Sequence, residues 1–315
     1  MYHAMNRRHF TLAAAIIAGQ GIHQAATADD FPPIIDTHQH LWDLGRLRLK
    51  WIGKGTILDR NFLADDYATA TAGLGVAQAV YMEVAVVPED QTAEAKWVSD
   101  LCASRSSPTR SAIISGLPAS AGFAGYLDQF KGNPYIKGLR CGVQTEPGNA
   151  GKVVSNAFIS GIRELGRRNL SFDLNMGGDD LEYGFQLVQA CPETRFIMDH
   201  CGNPDVRQPP SEKWIKGIEN LAKKPNVSAK ISGIIARVDQ QKPLVPQLAP
   251  FVNRVWNAFG PDRVVFGGDW PVCLNGGTYA QWVNALREIA AGRTRADQAK
   301  LFHDNALGVY RLEKV

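Results

Sequence analysis

The sequence predicts a single α/β domain, a (β/α)8 barrel of TIM type, and three observations carry that reading. Eight short β-rich runs alternate with helix-length segments whose apolar residues recur at helical spacing. The alternation fills roughly 280 residues, the length such a barrel needs. Polar residues crowd the C-terminal ends of the runs, where barrel enzymes keep their chemistry. An open doubly wound sheet, the competing class, would carry a glycine-rich phosphate turn after its first strand to bind a nucleotide, and this chain has none there.

In chain order the runs are Ile34–His38, Ala77–Val84, Ser111–Gly116, Ile136–Cys141, Ser171–Asn175, Arg195–His200, Val227–Ser232 and Arg263–Gly268. Phe158, Ile162 and Leu165 before the fifth run, and Trp282, Leu286 and Ile289 after the eighth, recur at intervals of four and three, the apolar stripe of a packed helix. No Pro/Ser/Gly-rich linker, charge block or low-complexity stretch divides residues 29–315, so they read as one domain.

The 315 residues are 45% hydrophobic, which excludes a disordered chain. The balance of 34 Lys and Arg against 31 Asp and Glu leaves no basic footprint for nucleic acid. Residues 1–28 read as an export signal. Arg7-Arg8 is followed two positions later by Phe10, then by an apolar run from Leu12 to Ala18 and the small residues Ala26-Thr27-Ala28. The expectation is export by the twin-arginine machinery, cleavage after Ala28 and a periplasmic protein. The apolar run falls short of the ~20 residues of a spanning helix, so no membrane anchor is expected. The five cysteines form no CxxC pair, and an odd count at irregular spacing reads as buried small hydrophobes.

Chemistry concentrates at four positions. His38 and His40 stand two apart at the end of the first run, and side chains at i and i+2 of a strand face the same side. Two imidazoles then offer two nitrogen ligands to a divalent ion, or two donors to an oxyanion. His200 closes the sixth run and Asp269 follows the eighth, after two glycines expected to let the backbone approach a ligand. A carboxylate at Asp269 can bind metal or take a proton from water. Glu83, Arg140, Asp173 and Lys230 are ionisable residues inside apolar β runs, where charge is costly unless paired or used. Trp42, Trp51 and Trp270 are candidates to wall a pocket.

These residues fall into motifs: Asp36-Thr-His38-Gln-His40-Leu-Trp42-Asp43, Asp199-His200-Cys-Gly-Asn-Pro204, Lys230-Ile-Ser-Gly233, Phe266-Gly-Gly-Asp269-Trp-Pro271 and Asn305-Ala306 with Tyr310. From Ile34 to Leu312 the chain resembles the amidohydrolase-related branch of the amidohydrolase superfamily. Within that branch it is similar to L-fuconolactonases and L-rhamnonolactonases and, more distantly, to pyrone-dicarboxylate lactonases. The resemblance implies a distorted (β/α)8 barrel that opens a sugar-acid lactone or similar cyclic ester, with Asp269 as the base that activates water. It places His38, His40 and His200 around the lactone carbonyl or a metal, and Arg140 on the substrate. One zinc or manganese held by His38, His40, His200 and Asp269 is compatible with it, and no organic cofactor is expected. A two-metal site is not, because Arg140 and Asp173 stand where two-metal relatives carry a lysine and a histidine. Glu83, Asp173, Lys230, Trp42 and Trp270 are expected to line the substrate.

Two rival readings keep the same residues: a metal-dependent decarboxylase of an unsaturated acid, and a non-catalytic periplasmic binder of sugar acids. A serine esterase is disfavoured because no Gly-x-Ser-x-Gly elbow occurs. A nucleophilic Cys201 is disfavoured because it would point away from the face of His200. No sequence feature sets the oligomeric state.

Overall fold

The computed structural model of the chain describes residues 32–141 and 150–314, and the export-signal expectation lies outside them. Eight parallel strands pair in chain order: β1 (Ile34–Gln39), β2 (Val76–Met82), β3 (Thr109–Ser115), β4 (Ile136–Arg140), β5 (Ser171–Leu174), β6 (Arg195–Met198), β7 (Val227–Ile231) and β8 (Val264–Phe266). Helices cover the outside: α1 (Ala64–Thr71), α2 (Gln91–Ser104), α3 (Phe123–Asp128), α4 (Asn156–Arg167), α5 (Leu181–Ala190), α6 (Glu212–Ala222), α7 (Leu244–Phe259) and α8 (Tyr279–Ala290). The short α9 (Arg295–Ala299) and α10 (Asn305–Val309) end the chain. This is the expected (β/α)8 barrel, and among the described residues no helix is long and apolar enough to cross a membrane.

Strands covered on both faces bury nearly every residue, polar ones included, so the runs show no regular alternation of buried and exposed positions. Helix starts are set by side chains that take up free backbone donors. Ser155 accepts from the Phe158 N–H, Ser211 from that of Trp214, and Thr278 forms a capping box with Gln281. Phe158, Ile162 and Leu165 on α4, and Trp282 and Leu286 on α8, are buried on the stripe that the spacing predicted.

Two features of the barrel position the site. Its interior is plugged at the N-terminal end, where Ile35, Val80, Ile113 and Val265 from the strands pack against Ala306 and Tyr310 of the last segment. Its seam is distorted: among the described residues, β8 and β1 form no ladder. They are joined near their C-terminal ends by the Asp269 N–H donating to the His38 carbonyl at 2.7 Å and the His40 N–H donating to the Trp270 carbonyl at 2.8 Å. Asp36 latches the seam. Its Oδ1 accepts from the backbone of Gly268 at 2.7 Å and His38 at 2.9 Å, and its Oδ2 accepts from the hydroxyls of Tyr67 and Tyr279. The seam therefore carries Asp269 against His38 of β1 and His40 just beyond it.

Candidate active site

His38, His40, His200 and Asp269 come together, buried, at the C-terminal end of the barrel. Asp269 Oδ1 lies 3.3 Å from His40 Nε2 and 3.6 Å from His38 Nε2. The His38 and His200 rings are 4.4 Å apart between centroids. His200 and Asp269 both hold the left-handed backbone conformation, with φ of 53° and 54°, uncommon for residues with a side chain. Such strain persists only where surrounding contacts over-determine it, and it clusters at functional sites. Here the seam hydrogen bond pins Asp269, and Ser232 Oγ lies 2.9 Å from His200 Nδ1. Close packing fixes the rest. A Cβ at Gly233 would fall 2.1 Å from His200 Nδ1, and one at Gly267 would fall 2.8 Å from His38 Cβ. The glycines before Asp269 thus make room for site residues and neighbouring rings, where the sequence suggested room for a ligand.

Below this cluster runs a column of charge. Tyr310 donates to Asp173 Oδ1 at 2.6 Å, Lys230 Nζ lies 2.8 Å from that same oxygen, 2.9 Å from Asp199 Oδ1 and 3.1 Å from His38 Nδ1. On the other side Arg140 donates through Nε to Glu83 Oε1 at 2.6 Å and through Nη2 to the Glu83 carbonyl at 2.9 Å. Its Nη1 turns to His38 Nε2 at 3.3 Å and Asp199 Oδ2 at 3.6 Å. Removing an ion from water costs several kcal/mol, so each buried charge here needs its partner.

That arrangement sets protonation. Burial and the Lys230 ammonium hold His38 far below the ordinary imidazole range. Burial, helped by Arg140 and Lys230 and opposed by the two aspartates, brings His200 down to about 4. Both rings are therefore neutral near pH 7. Burial pushes the Asp269 carboxyl up, yet His200, His40 and Arg140 more than offset it and hold the group below the usual carboxylate range. Asp199 is likewise held ionised, chiefly by Lys230. Burial raises Asp173 to about 6 despite Lys230.

The expected substrate-lining residues are placed otherwise. Lys230 and Asp173 are wholly buried and occupied by one another, and Glu83 is buried against Arg140, so these three hold the site from below. Trp42 and Trp270 are packed with Phe62 in edge-to-face contacts at 5.1 and 5.3 Å and offer no open ring face. Of the tryptophans proposed as pocket walls, Trp51 is the exposed one, at 43%. All five cysteines are buried and outside any disulfide, and burial pushes the Cys201 thiol up to about 12, which removes it as a nucleophile.

Asp36, Asp199 and Ser232 act on the site without having been singled out for a role. Each stands in a motif, but most of what it touches lies on elements distant in sequence, so spacing alone did not reveal it. Glu94 had a readable signal: it shares the apolar stripe of α2 with Val98 and Cys102, an unusual place for an acid.

His38, His200 and Asp269 each bring one ligand atom within 4.8 Å of the others. Two imidazole nitrogens and a carboxylate oxygen suit zinc or manganese. His40 stands beside that group with Nδ1 3.0 Å from the Met82 carbonyl, a contact that requires the Nδ1–H. Its Nε2 then meets the Asp269 carboxylate favourably only with a proton or a cation between them. Among the described residues the donor set fits a single ion.

Comparison with known proteins agrees with this fold. An uncharacterised protein of Sinorhizobium fredii is 27% identical over 300 residues, covering 89% of this chain and 98% of the relative. An L-fucono-1,5-lactonase of Burkholderia multivorans is 25% identical over 291 residues, covering 88% and 96%. The crystal structure of a zinc-bound amidohydrolase from Burkholderia multivorans superimposes with a TM-score of 0.80 at 23% identity, over 89% of this chain and all of that one. The amidohydrolase family profile matches residues 35–312. Fold, seam and site residues lie within that match, and the chain belongs to the amidohydrolase family.

Proposed function

We propose that the protein is a hydrolase that opens a sugar-acid lactone or similar cyclic ester by direct attack of water. The observation that carries this reading is Asp269, a buried carboxylate kept ionised beside two neutral imidazoles and one guanidinium. The lactonase relative supports the substrate class.

In this reading Asp269 takes a proton from water as the water oxygen bonds to the ester carbonyl carbon. The oxyanion develops near Arg140 Nη1, the guanidinium edge that Glu83 leaves free. Collapse of the tetrahedral intermediate breaks the bond from carbon to ring oxygen. Asp269 returns its proton to the departing alkoxide, and an open-chain hydroxy acid results. His200, steadied by Ser232, and His38, steadied by Lys230, present fixed nitrogen atoms to the same space. A single zinc or manganese held by His38, His200 and Asp269, with His40 beside it, would act as a Lewis acid on the carbonyl. We also propose that residues 1–28 export the folded enzyme to the periplasm by the twin-arginine route, so that it meets its substrate there.

The test is a panel of aldonolactones assayed by proton release, with carbon dioxide and metal content measured on the same samples and a chelator arm. Proton release without carbon dioxide supports lactone opening. Carbon dioxide from an unsaturated acid favours decarboxylation, and tight binding without turnover favours a sugar-acid binder. Activity lost on chelation and restored by a divalent ion assigns the metal to this cluster, whereas activity that survives assigns the chemistry to the side chains alone.

A further inference from the structure

Glu94 lies within helix α2, yet its side chain is fully buried against the barrel wall at β2 and β3. Its Oε1 accepts from the Val84 N–H at 2.8 Å and the Tyr81 hydroxyl at 3.0 Å. Its Oε2 meets Ser115 Oγ at 2.5 Å. The same Ser115 Oγ lies 3.0 Å from Glu83 Oε2. Glu83 is already committed: Oε1 accepts from Arg140 Nε and Oε2 from the Ala85 N–H, both at 2.6 Å.

A serine hydroxyl has one proton and can donate to one carboxylate only. Between two ionised carboxylates, one of its two contacts would set lone pair against lone pair in a buried site, which costs free energy comparable to an unmade hydrogen bond. The second proton must therefore reside on a carboxyl group. Both Glu83 oxygens are taken by N–H donors, one of them the Arg140 guanidinium. Glu94 Oε2 has no contact besides Ser115 that demands a bare lone pair.

We infer that Glu94 is the proton-bearing end of a hydrogen-bond chain, from Glu94 through Ser115 and Glu83 to Arg140, and that it is a positioning residue for the guanidinium at the active site. The last link, to substrate, rests on the lactonase reading. Burial and the Glu83 charge raise Glu94 to about 7, in keeping with the proton count. The other titratable groups packed against it are Tyr81 of β2 and Tyr126 of α3, both raised by burial and hence neutral, with Arg140 beyond Glu83. As pH rises through the value of Glu94, the proton leaves, two carboxylates confront one hydroxyl, and Arg140 loses its fixed place.

Infrared difference spectra of the substrate-free enzyme, wild type against Glu94→Gln at about pH 6, read the proton without turnover. A protonated-carboxyl band present in the wild type and lost in the variant is expected, and a change confined to ionised-carboxylate bands would overturn the inference. Steady-state kinetics read the consequence. Wild-type kcat/KM is expected to fall about tenfold between about pH 6 and 9, through kcat more than KM, while that of Glu94→Gln stays level with pH. Ser115→Ala, which cuts the chain and leaves both carboxyls in place, is expected to lower kcat/KM about tenfold even at the lower pH, again through kcat. Matching pH profiles of kcat/KM for wild type and Glu94→Gln would overturn the positioning role. A protonated band in an enzyme that turns over no lactone supports the proton assignment and sinks the lactone reading alone.

Discussion

The two ends of the barrel handle charge in opposite ways. At the C-terminal end, His38, Glu83, Arg140, Asp199, Lys230 and Asp269 are buried and bound into one network. At the other end, a cavity of about 640 Å3 opens among Lys131, Lys137, Glu164, Arg167, Arg168 and Arg311. Its ion pairs reach solvent: Arg168 meets Asp128 at 2.8 Å, with the Asp128 side chain 62% exposed. Water screens such pairs, and their worth is commonly under about 1 kcal/mol. Volume is thus a poor guide to chemistry in this molecule. The informative feature is charge held out of water beside opposite charge, because only there can a protonation state be fixed and an oxyanion be stabilised strongly.

Substitutions at the two ends should separate accordingly. Asp269→Asn is expected to lower kcat/KM by about 10³-fold or more, with a melting temperature near that of wild type. Lys230→Met removes the cation shared by Asp173 and Asp199, and denaturant unfolding should show a loss of about 3–5 kcal/mol. Adding Asp199→Asn should recover part of that loss, and no recovery would mean that the column is not electrostatically coupled. Arg140→Met is expected to cost about 10²-fold in kcat/KM by removing the oxyanion donor. At the other end, Lys137→Ala and Arg168→Ala should change stability by about 0.5 kcal/mol or less and leave turnover unaltered. A large effect on turnover there would break the contrast between the two ends.

The contrast also bears on what could be read before the fold was seen. All eight strands were legible because short β-rich runs alternate with helix-length segments, and their ends were placed within one or two residues. The differences have local causes. The sixth strand stops at Met198, short of His200, because the backbone turns left-handed at His200. The eighth is trimmed to Val264–Phe266, because the chain beyond it bends across the seam to pair with β1. At the site, residues carried by a motif were legible: His38, His40, His200 and Asp269 do meet. Their supports were not. Lys230 and Asp173, 57 positions apart, are partners through strand order and barrel closure, which no local pattern encodes. Trp42 and Trp270 read as pocket walls because an aromatic beside a catalytic residue looks the same in sequence whether it faces ligand or core. Glu94 lay on an apolar stripe, a signal that periodicity alone can supply.

The central claim is that Asp269 activates water for attack on the ester carbonyl instead of attacking it. A single turnover in water enriched in heavy oxygen, with product and the Asp269 peptide both weighed by mass spectrometry, tests it directly. One heavy oxygen in the new carboxylate of the product and none in Asp269 is the predicted result. Heavy oxygen in the Asp269 side chain, with an unlabelled product carboxylate, would show a covalent acyl-enzyme and contradict the account.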